Sequence, residues 1–378
     1  MKIAVVGHIR HLIAAPFMGG MESHCHELVR GLEKRGHDVT LFAAAGSRAS
    51  NLHVICETPY EAVLPWDRWR GTERLNLFQN RAFLNASTAI EAGGFDVVHN
   101  NSLSPAVIEW SLASGIPCVT SQHVPPFAAM RAAVAAAKDA RTSRFTVTSH
   151  HQRGLWGEDA GENMHVVPNG IALDRWQPVA ARENYLVWFG RITQNKGLRE
   201  AVAAARKARV RLRIVGMIED RAYFDRHAGG GPGGLVTYEG HLSGEKLLRI
   251  VARARAAVVT PMWDEPFGLV AAEAMAAGVP VIAFDRGAMR EVLGDCGRLV
   301  EPGNIDALAT AMSEAHSLDG VSCRRRIADH FSIERMIAGY ERIYRMAMEG
   351  CDTPASGAAA DVRREAASSC SSTSALLA

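Results

Sequence analysis

The chain has 378 residues, 48% hydrophobic and 22% charged, which is enough to bury the cores of about two globular domains. Its formal net charge of +2 is too small to indicate a nucleic-acid-binding surface, so nucleic acid is not expected as a partner. The seven cysteines include no CxxC pair, which argues against a disulfide framework or a zinc site and indicates free thiols in a reducing compartment.

The N-terminal segment MKIAVVG predicts a buried first strand at 2–7. Its apolar run is too short for a signal peptide. No apolar stretch reaches the roughly 18 residues that a membrane span needs. We therefore expect a cytoplasmic protein.

Short apolar segments alternate with longer helical patterns through the first half of the chain, for example the helix at 22–36, which ends at Gly36. This alternation predicts a parallel sheet with crossover helices. The predicted strands are 2–7, 38–44, 95–100, 117–123 and 144–149.

The pattern restarts at 185–191, and a helix is predicted at 197–208. Further strands are predicted at 211–216, 236–240, 256–261, 279–285 and 297–302. Two such series predict an α/β protein with two Rossmann-like, doubly wound domains, at 1–170 and 171–332. Ligands of open α/β sheets bind at the carboxyl ends of the strands, so the cleft between the domains is the expected site.

The C-terminal region is predicted from composition and spacing. Residues 332–349 have the spacing of a last amphipathic helix. The tail, 351–378, is rich in Ala and Ser and predicts disorder, and the glycine-rich segment 227–234 predicts a flexible loop.

Gly19 and Gly20 immediately precede the first predicted helix. Backbone amides at a helix N-terminus attract anions, but a turn that starts a helix explains the pair as well. The segment lacks the GxGxxG fingerprint, which argues against a nicotinamide-dependent oxidoreductase.

Two cations follow the first strand of the second series, in GRITQNKG at 190–197. Arg191 comes directly after the strand, and Lys196 precedes the next helix. Together they could clamp a diphosphate, although solvated loop cations are the plainer explanation of either residue.

The apolar segment WDEPFGLVAAEAMAAGVP, 263–280, contains Glu265 before a predicted helix and Glu273 inside it. The helix is expected to begin near Phe267 or Gly268. An unpaired buried carboxylate is costly, so Glu273 needs a partner, which could be a core arginine or a ligand hydroxyl.

Three histidines, His8, His99 and His123, stand at the ends of predicted strands of the first sheet. A single histidine is more often structural. Three at one sheet edge lead us to expect that at least one faces the cleft.

These elements together resemble the retaining glycosyltransferases of family four, which have the GT-B fold. The resemblance is carried by EPFGLVAAE (265–273), FGRITQNKG (189–197), VVPNGI (166–171) and the Gly-Gly loop, and it covers residues 1–346. The segments 18–47 and 214–228 also resemble the avilamycin-type subgroup.

The resemblance implies that the C-terminal domain holds a nucleotide-diphosphate sugar, with a UDP-sugar as the first choice. It assigns Arg191 and Lys196 to the diphosphate, Glu273 to the ribose hydroxyls and Glu265 to the donor sugar. It also implies that a last helix, 333–349, crosses back onto the N-terminal domain. The other implied donor contacts are Gly19, Gly20, His123, Tyr238, Gly240, His241, Leu242, Phe267, Gly268 and Leu269.

One segment departs from the family pattern. Many relatives carry GxGP where this chain has Gly216, Met217, Ile218, Glu219 and Asp220, which puts the base and phosphate contacts there in doubt. The HIRH sequence at 8–11 has no assigned role.

The implied reaction is transfer of a sugar to a hydroxyl acceptor with retention at the anomeric carbon. No DxD motif stands at a strand end, so neither a metal nor another cofactor is expected. The alternatives are a GT-B sugar-nucleotide epimerase or phosphorylase, or a non-catalytic sugar-nucleotide-binding protein.

The acceptor is not identified by the sequence and could be a glycan, a lipid-linked molecule or a small molecule. Its site is expected in the N-terminal loops 8–22, 58–80 and 123–140. A lipid-linked acceptor would bring the enzyme to the inner membrane face as a peripheral protein. Basic runs at 206–213 and 324–326 are candidates for that contact, although solvated helix faces explain them more simply.

Overall fold

The computed structural model of the protein describes residues 1–228 and 234–352. The first part of the chain forms a seven-stranded parallel sheet with the order β3-β2-β1-β4-β5-β6-β7. Its strands are β1 (Lys2–Gly7), β2 (Asp38–Ala44), β3 (Leu52–Cys56), β4 (Val97–Asn101), β5 (Cys118–Gln122), β6 (Ser143–Val147) and β7 (Met164–Val166). The helices are α1 (Gly20–Lys34), α2 (Tyr60–Val63), α3 (Trp66–Trp69), α4 (Glu73–Gly93), α5 (Pro105–Ser114), α6 (Ala128–Ala136) and α7 (His150–Leu155).

The second part forms a six-stranded parallel sheet with the order β10-β9-β8-β11-β12-β13. Its strands are β8 (Leu186–Phe189), β9 (Leu212–Val215), β10 (Val236–Tyr238), β11 (Ala256–Val259), β12 (Val281–Phe284) and β13 (Arg298–Val300). The helices are α8 (Leu198–Ala208), α9 (Arg221–His227), α10 (Gly244–Ala252), α11 (Leu269–Ala276), α12 (Met289–Leu293), α13 (Ile305–Ser313), α14 (Gly320–His330) and α15 (Ile333–Asp352).

Burial explains why these segments form parallel sheets. In β1, residues Ile3 to Val6 have no exposed surface, and β8, β11 and β12 are buried along their whole length. Strands that are covered by helices on both faces read as continuous apolar runs. The predicted fold of two doubly wound α/β domains is therefore confirmed.

In each sheet the strand order reverses at one point, between β1 and β4 in the first sheet and between β8 and β11 in the second. A crevice opens at such a switch point, outside the carboxyl ends of the strands. The loops that carry Gly19 and Gly20, Arg191 and Lys196, and Glu265 leave β1, β8 and β11, so the topology brings these residues together.

The last helix, α15, packs on the first sheet although it follows the second one in the chain. Tyr344 and Tyr340 are fully buried there, and the Tyr344 hydroxyl lies 2.6 Å from His99 Nδ1. Gly31 of α1 permits the close approach, because a Cβ at that position would lie 2.7 Å from Ile337 Cδ1.

The predicted C-terminal tail and the predicted flexible loop at 227–234 compare with the structure as follows: the start of the tail differs, and most of both segments lies outside the described residues. The tail was expected to begin at 351, but α15, whose buried face extends to Ala347, continues to Asp352. Residues 353–378 and 229–233, which include most of the predicted tail and flexible loop, lie outside the described residues.

Candidate functional site

A cavity of about 590 Å³ lies between the two sheets. This volume is in the range of small-molecule sites. Most of the predicted donor-site residues line it: Gly19, Gly20, His123, Arg191, Lys196, His241, Leu242, Glu265, Phe267, Gly268, Leu269 and Glu273.

Tyr238 and Gly240 do not line the cavity, so their predicted contact with a nucleotide base needs correction. The Tyr238 hydroxyl donates to the Gly216 carbonyl at 2.8 Å, and its ring packs against Phe224. The Gly240 carbonyl accepts a hydrogen bond from the Gly216 amide at 3.0 Å. Both residues hold the turn after β9 in place, and the segment that follows β10 lines the cavity from His241 onward.

The α11 helix begins at Leu269, one or two residues later than predicted. Gly268, before it, has φ +96°, and a Cβ there would lie 2.0 Å from Met289 Cε, so the position requires glycine. The first amides of a helix have no partner within the helix and carry its positive dipole end. The α11 N-terminus therefore offers donors to an anion in the cavity.

The first residues of α1 and α11 meet across the cavity. A Cβ on Gly20 would lie 2.7 Å from Leu269 Cδ1, so glycine lets the N-terminus of α1 approach that of α11. Gly19 and Gly20 therefore lie beside the second domain, as the anion-site explanation of this pair requires.

Lys196 and Glu265 form an ion pair inside the cavity, with 2.6 Å between Nζ and Oε2. Trp263 Nε1 donates to the same carboxylate oxygen at 2.7 Å, and Lys196 Nζ lies 5.2 Å from the centre of the Trp263 ring. The pair forms because Lys196 follows β8 and Glu265 follows β11, and these two strands are neighbours. Trp263 was not predicted, although it stands only two positions before Glu265.

Arg191 also has a carboxylate partner. Its Nη1 lies 3.0 Å and 3.2 Å from the two oxygens of Glu219, a residue of the segment that departs from the family pattern. Both predicted diphosphate cations are thus paired with acidic side chains.

Glu273 lies one turn inside α11 and lines the cavity. Within the described part of the chain, no side chain makes a hydrogen bond to it. Burial raises the pKa of Glu273 to about 7, and the nearby Arg175 guanidinium opposes part of that rise. Of the two partners considered for Glu273, an ion pair with a core arginine is therefore not formed within the described residues, and its carboxylate faces the cavity.

The three strand-end histidines have different surroundings. His99 is buried between Tyr344 and Ser121, at 2.6 Å and 2.9 Å, and is a structural residue. His8 is packed against Tyr60 in the first domain. Only His123 of the three lines the cavity, where it donates through Nε2 to Asn101 Oδ1 at 2.5 Å. Burial lowers the pKa of His123 to about 4, so its imidazole is neutral at pH 7.

Two sets of contacts join the domains beside the cavity, and neither was predicted. Ser149 Oγ donates to the Pro266 carbonyl at 2.7 Å, next to Glu265. The Glu291 carboxylate accepts from the amides of His150 and His151 at 2.8 Å and 2.6 Å. No residue pattern predicts these contacts, because they join segments that lie more than 110 positions apart in the chain.

Within residues 1–228 and 234–352, no cluster of three or more His, Cys, Asp or Glu side chains could hold a metal ion. Over the same residues, every helix is too short or too polar to cross a bilayer. The expectation that no metal is required stays a prediction.

Two protein-family models match the chain. Glycosyltransferase Family 4 matches residues 18–175, and Glycosyl transferases group 1 matches residues 183–317. The MMP alpha-(1->4)-mannosyltransferase of Mycolicibacterium hassiacum is 30% identical over 296 residues, which are 68% of this chain and 72% of that protein. The glycogen synthase of Mycobacterium tuberculosis is 26% identical over an alignment that includes 88% of this chain and 92% of that protein.

Solved structures show the same fold. AviGT4, a glycosyltransferase involved in avilamycin A biosynthesis, superposes with a TM-score of 0.70 at 23% identity, covering 92% of this chain and 98% of its own. HepE of Anabaena, solved in complex with UDP-glucose, superposes with a TM-score of 0.67 at 18% identity, covering 90% and 98%. At these identities the likeness supports the fold alone.

Proposed function

Because the chain belongs to the glycosyltransferases of family 4, we propose that it moves a hexosyl group from a nucleotide-diphosphate sugar to a hydroxyl acceptor, with retention of anomeric configuration. One observation carries the proposal. Arg191, Lys196, a helix N-terminus and the carboxylates of Glu265 and Glu273 line one cavity, and among the described residues no side chain makes a hydrogen bond to Glu273. This set suits a diphosphate with a hydroxyl-bearing group on each side.

In this proposal the donor lies across the α11 N-terminus. Arg191, Lys196 and the amides of Gly19, Gly20 and the start of α11 bind the diphosphate. Glu273 accepts hydroxyls of the ribose, and Glu265 accepts a hydroxyl of the donor sugar. The base lies against His241 and Leu242. A UDP-sugar is the first choice, in keeping with the UDP-glucose that HepE binds.

The reaction breaks the bond between the anomeric carbon and the diphosphate oxygen. The acceptor oxygen bonds to that carbon on the same face, and its proton passes to the leaving diphosphate. Fixed cations and amides stabilise the charge that develops there, a contribution typically of about 3–4 kcal/mol per donor group. His123, being neutral, contributes a polar contact to the donor sugar.

Product analysis tests this function and separates it from its alternatives. The purified protein is incubated with UDP-, GDP- and ADP-hexoses, with and without polyol and saccharide acceptors. We expect a glycosylated acceptor of retained configuration and free nucleoside diphosphate. An epimerised donor formed without acceptor would indicate an epimerase, phosphate-dependent release of a sugar phosphate would indicate a phosphorylase, and binding without turnover would indicate a binding protein.

The finer assignments are also proposals. The hexosyl specificity is in keeping with the mannosyl- and glucosyl-transferring names of the relatives. Membership of the avilamycin-type subgroup, cytoplasmic localisation and peripheral contact with the inner membrane face remain expectations of the sequence.

Glu219 should compete with the donor for Arg191. We expect Glu219→Gln to bind a nucleoside diphosphate about three- to fivefold more tightly, because a partly exposed ion pair is worth up to about 1 kcal/mol. Titration calorimetry with UDP measures the change. Glu183→Gln, which breaks contacts to Arg253 and Arg213 outside the cavity, is the matched control. Weaker binding by Glu219→Gln would show instead that Glu219 holds Arg191 in its binding position.

A further inference from the structure

The backbone of the loop that carries Glu265 is fixed at three points. The Met262 amide donates to the Asn195 carbonyl at 2.8 Å, and the Ala288 amide donates to the Glu265 carbonyl at 2.8 Å. One residue further on, Ser149 Oγ donates to the Pro266 carbonyl at 2.7 Å. With the main chain held on both sides, only side-chain contacts decide where the Glu265 carboxylate points.

Two donors reach that carboxylate, and both bond to Oε2. Lys196 Nζ lies 2.6 Å and Trp263 Nε1 2.7 Å from this oxygen. Within the described residues, no donor makes a hydrogen bond to Oε1. All three side chains line the cavity, and that of Glu265 is only 14% exposed.

The two donors differ in what a ligand does to them. Lys196 has a flexible stem and three N–H groups, and an incoming diphosphate competes with Glu265 for its charge. The Trp263 indole has one N–H on a rigid ring. A bound diphosphate therefore weakens the hold of Lys196 on Glu265 and leaves that of Trp263 in place.

We propose that Trp263 is the positioning residue that keeps Glu265 Oε2 occupied and its Oε1 directed at the donor sugar, so that it determines selectivity for the sugar. This inference rests on the proposed function. Trp263 acts through Glu265, so its loss should affect recognition of the sugar and leave recognition of the nucleotide nearly unchanged.

The test compares Trp263→Phe, which keeps an aromatic ring and removes the N–H, with wild type. We expect kcat/KM for the preferred nucleotide sugar to fall about tenfold, the range of one hydrogen bond to a charged group. Its ratio to the epimeric sugar should move toward one, while affinity for the nucleoside diphosphate without sugar stays within twofold. Trp263→His, whose Nε2–H occupies the equivalent ring position, should recover part of the selectivity.

The chain offers a matched control. Trp110 Nε1 also donates to a carboxylate, Glu91 Oε1, at 2.7 Å, but on the surface of the first domain. Trp110→Phe removes the same kind of bond and should leave every kinetic value unchanged.

Three results would overturn the proposal: unchanged selectivity in Trp263→Phe, an equal loss of affinity for the nucleoside diphosphate and its sugar, or no recovery by Trp263→His when thermal unfolding shows that it is folded. If wild type binds no nucleotide sugar, the proposed function fails and this inference fails with it. If wild type transfers sugar and Trp263→Phe behaves like Trp110→Phe, only this inference fails.

Discussion

Lys196→Ala is expected to lower kcat for sugar transfer by about 10²–10³, because removal of one fixed group that stabilises the leaving diphosphate costs this much. The protein should remain folded, since Lys196 is partly exposed and Glu265 keeps its bond to Trp263. We expect the free energy of unfolding to fall by about 2 kcal/mol at most, the value of a hydrogen bond to a charged group. Steady-state kinetics and urea unfolding measure the two effects separately.

Lys207→Ala is the control for this prediction. Lys207 also pairs with a carboxylate, that of Asp306, but on an exposed surface outside the cavity. Its replacement should leave kcat unchanged. A Lys196→Ala enzyme with wild-type kcat would show that the diphosphate is bound elsewhere.

Glu273→Gln is expected to stabilise the protein and to weaken nucleotide binding. In the unfolded chain this carboxyl ionises above about pH 4.5, whereas burial keeps it protonated in the fold until about pH 7. The wild type therefore loses stability as the pH rises between these values, by about 3 kcal/mol in total. Glutamine has no charge to bury, so the variant should be more stable at pH 8 and equal to wild type at pH 4.

The affinity for nucleotide should change with pH in the opposite direction to the stability. Ribose hydroxyls donate to the ionised carboxylate, so nucleotide affinity of the wild type should rise as the pH rises through 7. Glu273→Gln should bind a nucleoside diphosphate about tenfold more weakly at pH 8, with little pH dependence. Chemical denaturation and calorimetry at pH 5, 7 and 8 check both effects. Equal stability of the two proteins at pH 8 would contradict the account of Glu273 as a buried carboxylate held for a ligand.

The strands that the sequence does not predict are edge strands. β3 has two exposed residues, His53 and Val54, and β7 has only three residues. Neither shows the continuous apolar run by which the covered strands were recognised, because an edge strand is less buried. Of the other strands, β1 and β2 were predicted with their observed bounds, and the rest differ by at most two residues at either end.

The segment 58–80, expected as an acceptor loop, contains α2, α3 and the first turns of α4. The α4 helix, which is capped by Thr72, was not predicted, and three of its six buried residues, Ala82, Ala86 and Ser87, are small. Apolar periodicity is weak in such a sequence.

Site residues that directly follow a predicted strand could be identified from the sequence. The ion pairs between side chains of different loops could not. Arg191, Lys196, Glu265 and Glu273 were found from their positions in the pattern. The ion pairs Lys196–Glu265 and Arg191–Glu219 were not predicted, because contact between the loops after β8, β9 and β11 depends on the strand order, which cannot be derived from the sequence pattern.

The central claim is that one nucleotide-diphosphate sugar binds in the cleft with its diphosphate on Lys196. Native mass spectrometry of the purified protein with a panel of nucleotide hexoses tests it most directly. We predict a one-to-one adduct with one donor on wild type and on Lys207→Ala, and a weaker adduct on Lys196→Ala. No adduct with any donor on wild type, or an undiminished adduct on Lys196→Ala, would contradict the claim.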